Sequence, residues 1–540
     1  MKPFPLLLVL KFAFLCLGYS EERPNGDRPN GDRPNDDRPD GDRPSIIIIL
    51  VDDMGFSDLG CYGGEIPTPH IDSLAENGLR FSQFYNTGRC CPTRASLLTG
   101  LYSHRAGVGH MTNARKARGY IGRLNEECTT IGQLASDAGY LSAVSGKWHV
   151  GSGKRAWWPL ARGFDRFYGC PEGGGFYHRP KDGRTIVLNE DVILDHKSEI
   201  PDDWYCTDSF TENGLRFVDE AIEKDQPFFL YLAHIAPHFP LQADEADIAK
   251  YRGKFLAGWD KLSQERHQRQ IELGFIDPAW EKMPRPKEVP AWDSLNKKQQ
   301  DRLDHLFATY AATMDRLDRS IGNLIDGLKE RDQFDNTLIL FLSDNGASAE
   351  GGTLGRTDGD PTEANSNWWA GKAWAWHSNT PFRRYKKANE EGGIATPLIA
   401  HWPAGISDPG TWREDPFHVI DILPTILDLT EASYPEEVQG NQIAPFQGQS
   451  FAFALKGITS KPRKVNYFWE HEGNAAVRDG DWKLVRVGGK GKWELYDLKA
   501  DRTEQNNLAS THADQVTEMT SQWEEWAKHN FVAPRGNTGK

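Results

Sequence analysis

Positive charge is in short supply in this chain: 63 lysines and arginines stand against 77 aspartates and glutamates, a net charge of −14 over 540 residues. That balance excludes a surface built for nonspecific nucleic-acid binding, and it repels anions at long range, so an anionic substrate needs a local cationic pocket. Cysteine is scarce as well. Of the seven, Cys16 falls in the leader and Cys90 is set apart below; Cys61, Cys91, Cys128, Cys170 and Cys206 form an odd, scattered set that defines no disulfide framework. No Asn-x-Ser/Thr sequon occurs. Beyond the leader no stretch is apolar enough to cross a bilayer. The leader has Met1-Lys2, then apolar residues at 5–10 and 12–17 with Lys11 between them. It is too short to span comfortably and reads as a secretion signal, residues 1–20, removed on export. A retained membrane anchor is the alternative, and bulky Leu15 disfavours lipid attachment at Cys16. The expectation is an exported protein, periplasmic or extracellular and bacterial, with no stable membrane insertion after cleavage and no nucleic-acid partner.

What the chain does contain is globular. Its hydrophobic fraction of 38% and aromatic fraction of 11% suit one large domain plus a smaller one. Residues 21–44 repeat Arg-Pro with Asn, Gly and Asp between, offer nothing to bury, and are expected as a disordered linker. Order is expected to begin at 46–51 (IIIILV), a β-branched run suited to a strand buried on both faces. Segments 140–145, 227–233 and 337–343 look alike. Each leads into a polar cluster: Gly146-Lys147-Trp148-His149, then His234 with Pro237-His238, then Asp344-Asn345-Gly346. Helical patterns lie between, the clearest with apolar residues at 303, 306, 307, 310, 314, 317, 321, 324, 325 and 328. This alternation predicts a doubly wound α/β sheet, with ligands bound beyond the carboxyl ends of the strands, where every polar cluster falls. From 465 the texture changes to short alternating strands at 465–469, 482–487 and 493–498, then a helix around 512–529. The boundaries expected are 45–455 for the large domain and 456–540 for a C-terminal subdomain.

Residues 90–100 read CCPTRASLLTG. Pro92 suits a first helical turn, which puts the Cys90 thiol near a helix N-terminus whose amides and dipole favour anions. Arg94 lies one turn on, on the same face. An oxyanion site and a buried cysteine pair at an ordinary helix start are both open on these residues alone. Cys-x-Pro-Thr-Arg followed by Leu-Leu-Thr-Gly resembles the signature of type I sulfatases, in the alkaline-phosphatase-like superfamily. The resemblance implies a large mixed, mostly parallel sheet flanked by helices, with a smaller C-terminal antiparallel sheet and one helix. It also implies that Cys90, not the variable Cys91, is oxidised to formylglycine by a formylglycine-generating maturation enzyme, and that the aldehyde hydrate is the nucleophile.

Asp52-Asp53 follow the first strand and Asp344-Asn345 the late one. Three carboxylates and an amide suit a hard divalent cation, and adjacent carboxylates are costly without one; strand-end caps are the other reading. By the resemblance, Asp52, Asp53, Asp344 and Asn345, with oxidised Cys90, hold Ca²⁺, or Mg²⁺. Lys147 contacts sulfate and the diol, and His149 is the general base for elimination. His238 binds sulfate and protonates the leaving oxygen, alone or with a lysine. Counting back from Glu391 before Gly392-Gly393 selects Lys386 over Lys387, and Arg94 adds a further cation. His234 is read as structural. Trp157-Trp158, Trp368-Trp369 and Trp374 to Trp376 suit sugar stacking and core packing equally. Arg478 is set in the C-terminal region as a residue able to reach the pocket. The function expected is hydrolysis of an aryl or carbohydrate sulfate. A phosphonate or phosphate ester hydrolase on the same scaffold is the nearest rival, and a secreted non-catalytic binding protein the more distant one.

Overall fold

Ser45–Val51 forms strand β1 and is buried along its whole length. In the computed structural model, which describes residues 43–458 and 466–533, alternate side chains of β1 enter two separate cores. Ile47, Ile49 and Val51 join one; Ile46, Ile48 and Leu50 join the other. A strand alternates faces, so an unbroken apolar run is what two covered faces require. The expected signal and nearly all of the expected linker lie outside the described residues.

The sheet around β1 has ten strands. In chain order the others are β2 Leu79–Phe81, β3 Leu141–Lys147, β4 Arg166–Cys170, β5 Ile186–Leu188, β6 Asp191–Leu194, β7 Phe228–Ala233, β8 Thr337–Ser343, β9 Leu398–His401 and β10 Thr411–Arg413. The spatial order is β10-β2-β9-β8-β1-β7-β3-β4-β5-β6. Strands β8, β1, β7, β3 and β4 run parallel, with Ile48 level with Tyr231 and Leu340. The flanks are mixed, β9 pairing antiparallel to β8 and β5 antiparallel to β4.

Helix α1, Cys90–Thr99, packs in the core of one face. On the other lie α2, Cys206–Glu223, and the long α3, Lys297–Glu330. The apolar stripe of α3 is buried from Leu303 to Leu328, and Asn296 closes its start as a capping box with Gln299.

The C-terminal region is a four-stranded antiparallel sheet, β11 Asn466–His471, β12 Asn474–Asp479, β13 Trp482–Arg486 and β14 Glu494–Asp497. Helix α4, Ala513–His529, covers it through Met519, Trp523 and Trp526. A buried ionic cluster ties this sheet to the large one. Lys483 Nζ lies 2.8 Å from Glu391 and 2.9 Å from Glu504, and Arg502 Nε lies 3.0 Å from Glu391. Burial alone would raise the Glu391 carboxyl, but Lys483 and then Arg502 bring it down to about 2. Among the described residues no helix is long and apolar enough to cross a membrane, and the six described cysteines are free and buried.

Candidate active site

Four adjacent parallel strands, β8, β1, β7 and β3, end side by side, and each delivers polar residues at its carboxyl tip. Asp344 and Asn345 follow β8, Asp52 and Asp53 follow β1, His238 lies beyond β7, and Lys147 closes β3 with His149 two residues on. Asp53 and His149 hold left-handed backbone, with φ of 67° and 59°. Such angles are uncommon outside glycine, and Asp and His are among the residues enriched there. Helix α1 is buried throughout and begins at Cys90, whose sulfur lies beside His149, so the positive end of its dipole adjoins this cluster.

Arg94 reaches across from α1. Its Nε and Nη2 donate to Asp344 Oδ2 at 3.2 and 2.8 Å, Nη1 donates to the Lys147 carbonyl at 2.9 Å, and Nη2 lies 3.7 Å from Asp52. Lys147 Nζ donates to Asp52 Oδ2. Asn345 Nδ2 donates to Asp53 Oδ1 at 2.7 Å. Lys386 Nζ donates to Asp53 Oδ2 at 2.8 Å and lies 3.4 Å from His238 Nε2. His238 Nδ1 donates to the Phe239 carbonyl. A carbonyl only accepts, so Nδ1 carries the proton and the Nε2 lone pair of neutral His238 faces Lys386.

Cys90 is wholly buried, and its sulfur lies within 4.8 Å of ligand atoms of Cys91 and His149. The Cys91 thiol, then the Lys147 charge and His149, hold the Cys90 thiol well below its ordinary range. Burial, then the Lys147 charge, lowers His149 to about 4, so the ring is a neutral base at neutral pH. Gly173 backs that ring; a Cβ there would stand 2.8 Å from it.

The carboxylates are crowded. Burial and the nearby Asp52 push the Asp344 carboxyl well up despite Arg94. In Asp52 itself burial is outweighed by Lys147, His238 and Arg94, which hold it low. Asp52 Oδ1 and Asn345 Oδ1 are buried and accept no hydrogen bond. A hard divalent ion fits this set, because it gives partners to both orphaned oxygens and offsets the repulsion between Asp52 and Asp344.

The sequence matches the family model described as Sulfatase over residues 44–432, and the model described as N-sulphoglucosamine sulphohydrolase, C-terminal, over residues 384–529. The chain belongs to the sulfatase family. An uncharacterised sulfatase of Schizosaccharomyces pombe is 34% identical over 89% of this chain and 92% of its own. An arylsulfatase of Klebsiella aerogenes is 31% identical over 76% of this chain and 91% of its own. The crystal structure of Ps i-CgsB in complex with k-i-k-neocarrahexaose superposes with a TM-score of 0.65 at 26% identity, covering 92% of this chain and 94% of the other. This sulfatase is therefore a sulfuric ester hydrolase with the mixed sheet and separate C-terminal sheet expected from its sequence.

The structure brings together all ten residues singled out: Asp52, Asp53, Cys90, Arg94, Lys147, His149, His238, Asp344, Asn345 and Lys386. Lys387 points elsewhere, its Nζ 2.7 Å from Glu350. Lys386→Met is thus expected to lower kcat/KM for a sulfate ester by about 10²-fold, and Lys387→Met by less than about fivefold; steady-state assays of the two variants, compared side by side, check this.

His234 is wholly buried and makes no side-chain hydrogen bond, and burial lowers it to about 3. Trp374 and Trp376 are core residues and Trp368 is buried, whereas Trp369 stacks on Phe239 at 3.8 Å, which stacks on His238 at 4.1 Å. Arg478 corrects the sequence reading: its guanidinium donates to Tyr85 at 2.7 Å and to the Gly480 carbonyl at 2.8 Å, inside the ionic cluster. Sequence reasoning passed over Arg89, His110, Glu350, His471 and Glu472, which border the site.

Proposed function

We propose that this protein hydrolyses a carbohydrate or aryl sulfate to the alcohol and inorganic sulfate, with the hydrated aldehyde of oxidised Cys90 as nucleophile. The observation that supports this reading best is the convergence of Arg94, Lys147, His149, His238 and Lys386 on the start of α1. Asp52, Asp53, Asp344 and Asn345 would hold one Ca²⁺, which supplies positive charge for a sulfate oxygen.

The ester sulfate lies against Lys147 and Lys386, whose charges are fixed by Asp52 and Asp53. One hydroxyl of the hydrate attacks sulfur as its proton passes to a strand-tip carboxylate, and the bond from sulfur to the alcohol oxygen breaks. That oxygen takes a proton from Lys386, given directly or relayed through the Nε2 lone pair of His238. His149 then removes the proton of the second hydroxyl, the aldehyde carbonyl re-forms, and sulfate departs. Water adds to the aldehyde and restores the hydrate. The sum is ester plus water giving alcohol, sulfate and a proton.

Carbohydrate sulfate is favoured because the oligosaccharide-bound Ps i-CgsB shares this architecture, and because Trp369 and Phe239 form an aromatic wall beside His238. Oxidation of Cys90 requires a separate maturation enzyme, and export places the chain outside the cytoplasm. Peptide mass spectrometry across residue 90 tests the modification; an unaltered thiol in fully active protein overturns it. Dialysis against a chelator is expected to lower activity by more than about tenfold, and Ca²⁺ to restore it. Full activity at less than about 0.1 bound ion per chain would rule the ion out.

A further inference from the structure

Beside the reacting groups lies a second polar cluster that the mechanism leaves unused. Arg89 immediately precedes Cys90, and its Nε and Nη1 are buried without an acceptor. Its nearest carboxylate is Glu350, 3.9 Å from Nη2. Glu350 is shared, lying 2.7 Å from Lys387 and 3.4 Å from Lys386. One carboxylate therefore faces three cations. Arg89 acts electrostatically on Cys90 on one side and on His471 and Glu472 on the other, so it links the sulfate pocket to the C-terminal sheet.

His471 is wholly buried, yet neither ring nitrogen has a hydrogen-bond partner. Its ring stacks on His110 at 5.4 Å and 14°. Glu472 and Gly473, with φ of 52° and 89°, form the two-residue turn that joins β11 to β12. Asn474 beyond it donates to the Lys387 carbonyl at 2.9 Å, which fastens the turn beside the site. Buried donors without acceptors are costly unless a ligand completes them.

We propose that Arg89, with His471, binds a second acidic group of the substrate, a carboxylate or another sulfate next to the ester being cleaved. The substrate class is then an acidic sulfated sugar, a conclusion that rests on the sulfatase reading above. Guanidinium N–H groups suit both carboxylate and sulfate oxygens. A divalent ion on His110, His471 and Glu472 is the other occupant this cluster fits. Two cations oppose it: Arg89, and Arg115, whose Nη2 lies 3.1 Å from both His110 ring nitrogens.

The test uses the full matured enzyme and matched substrates. Sulfated uronate disaccharides are paired with their carboxyl methyl esters, and disulfated sugars with monosulfated ones, so that the two sources of negative charge are separated. Among pairs turned over, the more acidic member of at least one kind is expected to have kcat/KM higher by about tenfold or more, chiefly through KM. Arg89→Gln is expected to bring that ratio below about threefold, with Arg89→Lys between; His471→Gln should also lower it. Parity in the wild type across all pairs, or a ratio unchanged in Arg89→Gln, overturns the proposal. Equal losses on both members, extending to nitrophenyl sulfate, do so too, because Arg89 then serves the reacting sulfate. So does a stoichiometric metal ion that His110→Ala removes. Failure to turn over any sulfate ester would instead sink the sulfatase reading itself.

Discussion

Cys90→Ala is expected to lower kcat on any sulfate ester by at least about 10⁴-fold while leaving the fold and sulfate binding in place. The side chain is buried at the first turn of α1, and alanine removes only one heavy atom from it. Arg94, Lys147 and Lys386 stay on their carboxylate anchors, so binding of inorganic sulfate should change by less than about threefold. What disappears is the pair of hydroxyls: alanine keeps the carbon as a methyl group that cannot be converted to the aldehyde. Serine at 90 would restore one hydroxyl but no means of expelling sulfate by re-forming a carbonyl, so Cys90→Ser should stall after at most one turnover. Burst kinetics with nitrophenyl sulfate distinguish the two variants. Retention of more than about 1% of wild-type kcat by Cys90→Ala would refute the nucleophile assignment.

Lys483→Met is expected to destabilise the protein by about 3–5 kcal/mol without touching a reacting group. Lys483 is wholly buried between Glu391 and Glu504, and removing it leaves Glu391 to Arg502 and Glu504 to Arg383, 3.5 Å away. A urea midpoint with unchanged slope measures the loss. Adding Glu391→Gln to Lys483→Met should recover part of it, as coupled neighbours do. A loss below about 1 kcal/mol would show that the cluster is not what joins the two sheets. The same cluster sets a sign for acid stability. Glu391 is depressed to about 2 in the folded protein, so its contribution is complete above the ordinary carboxyl range. It fades as pH falls from about 4.5 towards 2, and Glu391→Gln should flatten that part of the profile.

How much of this was legible depends on burial. Strands β1 and β8 stood out because both faces are covered, which forces an unbroken apolar run. Their tips stood out because Asp52-Asp53 and Asp344-Asn345, directly after such runs, are polar where a core would continue apolar. The stripe of α3 was readable for the same reason, one face buried over its whole length. Strand β12 was not, since its sequence NAAVRD has small residues where Trp469 packs beside it and a buried arginine whose partners come from elsewhere. The hairpin β5–β6 was missed too; β6 is an exposed edge of four residues, DVIL, too short to show a period. Arg89 was hidden by its setting, as the residue before a motif rather than within it. His110 and Glu472 meet at 3.0 Å across 362 residues of chain, a contact that no local pattern announces.

The turn at Glu472 and Gly473 belongs to a different sheet from the strand tips that carry the reacting groups. Selection can therefore rewrite which molecules are admitted by editing a surface bend and the loop around His110, while the chemistry beneath is inherited intact. Divergence in substrate, on this scaffold, need not pass through a loss of catalysis.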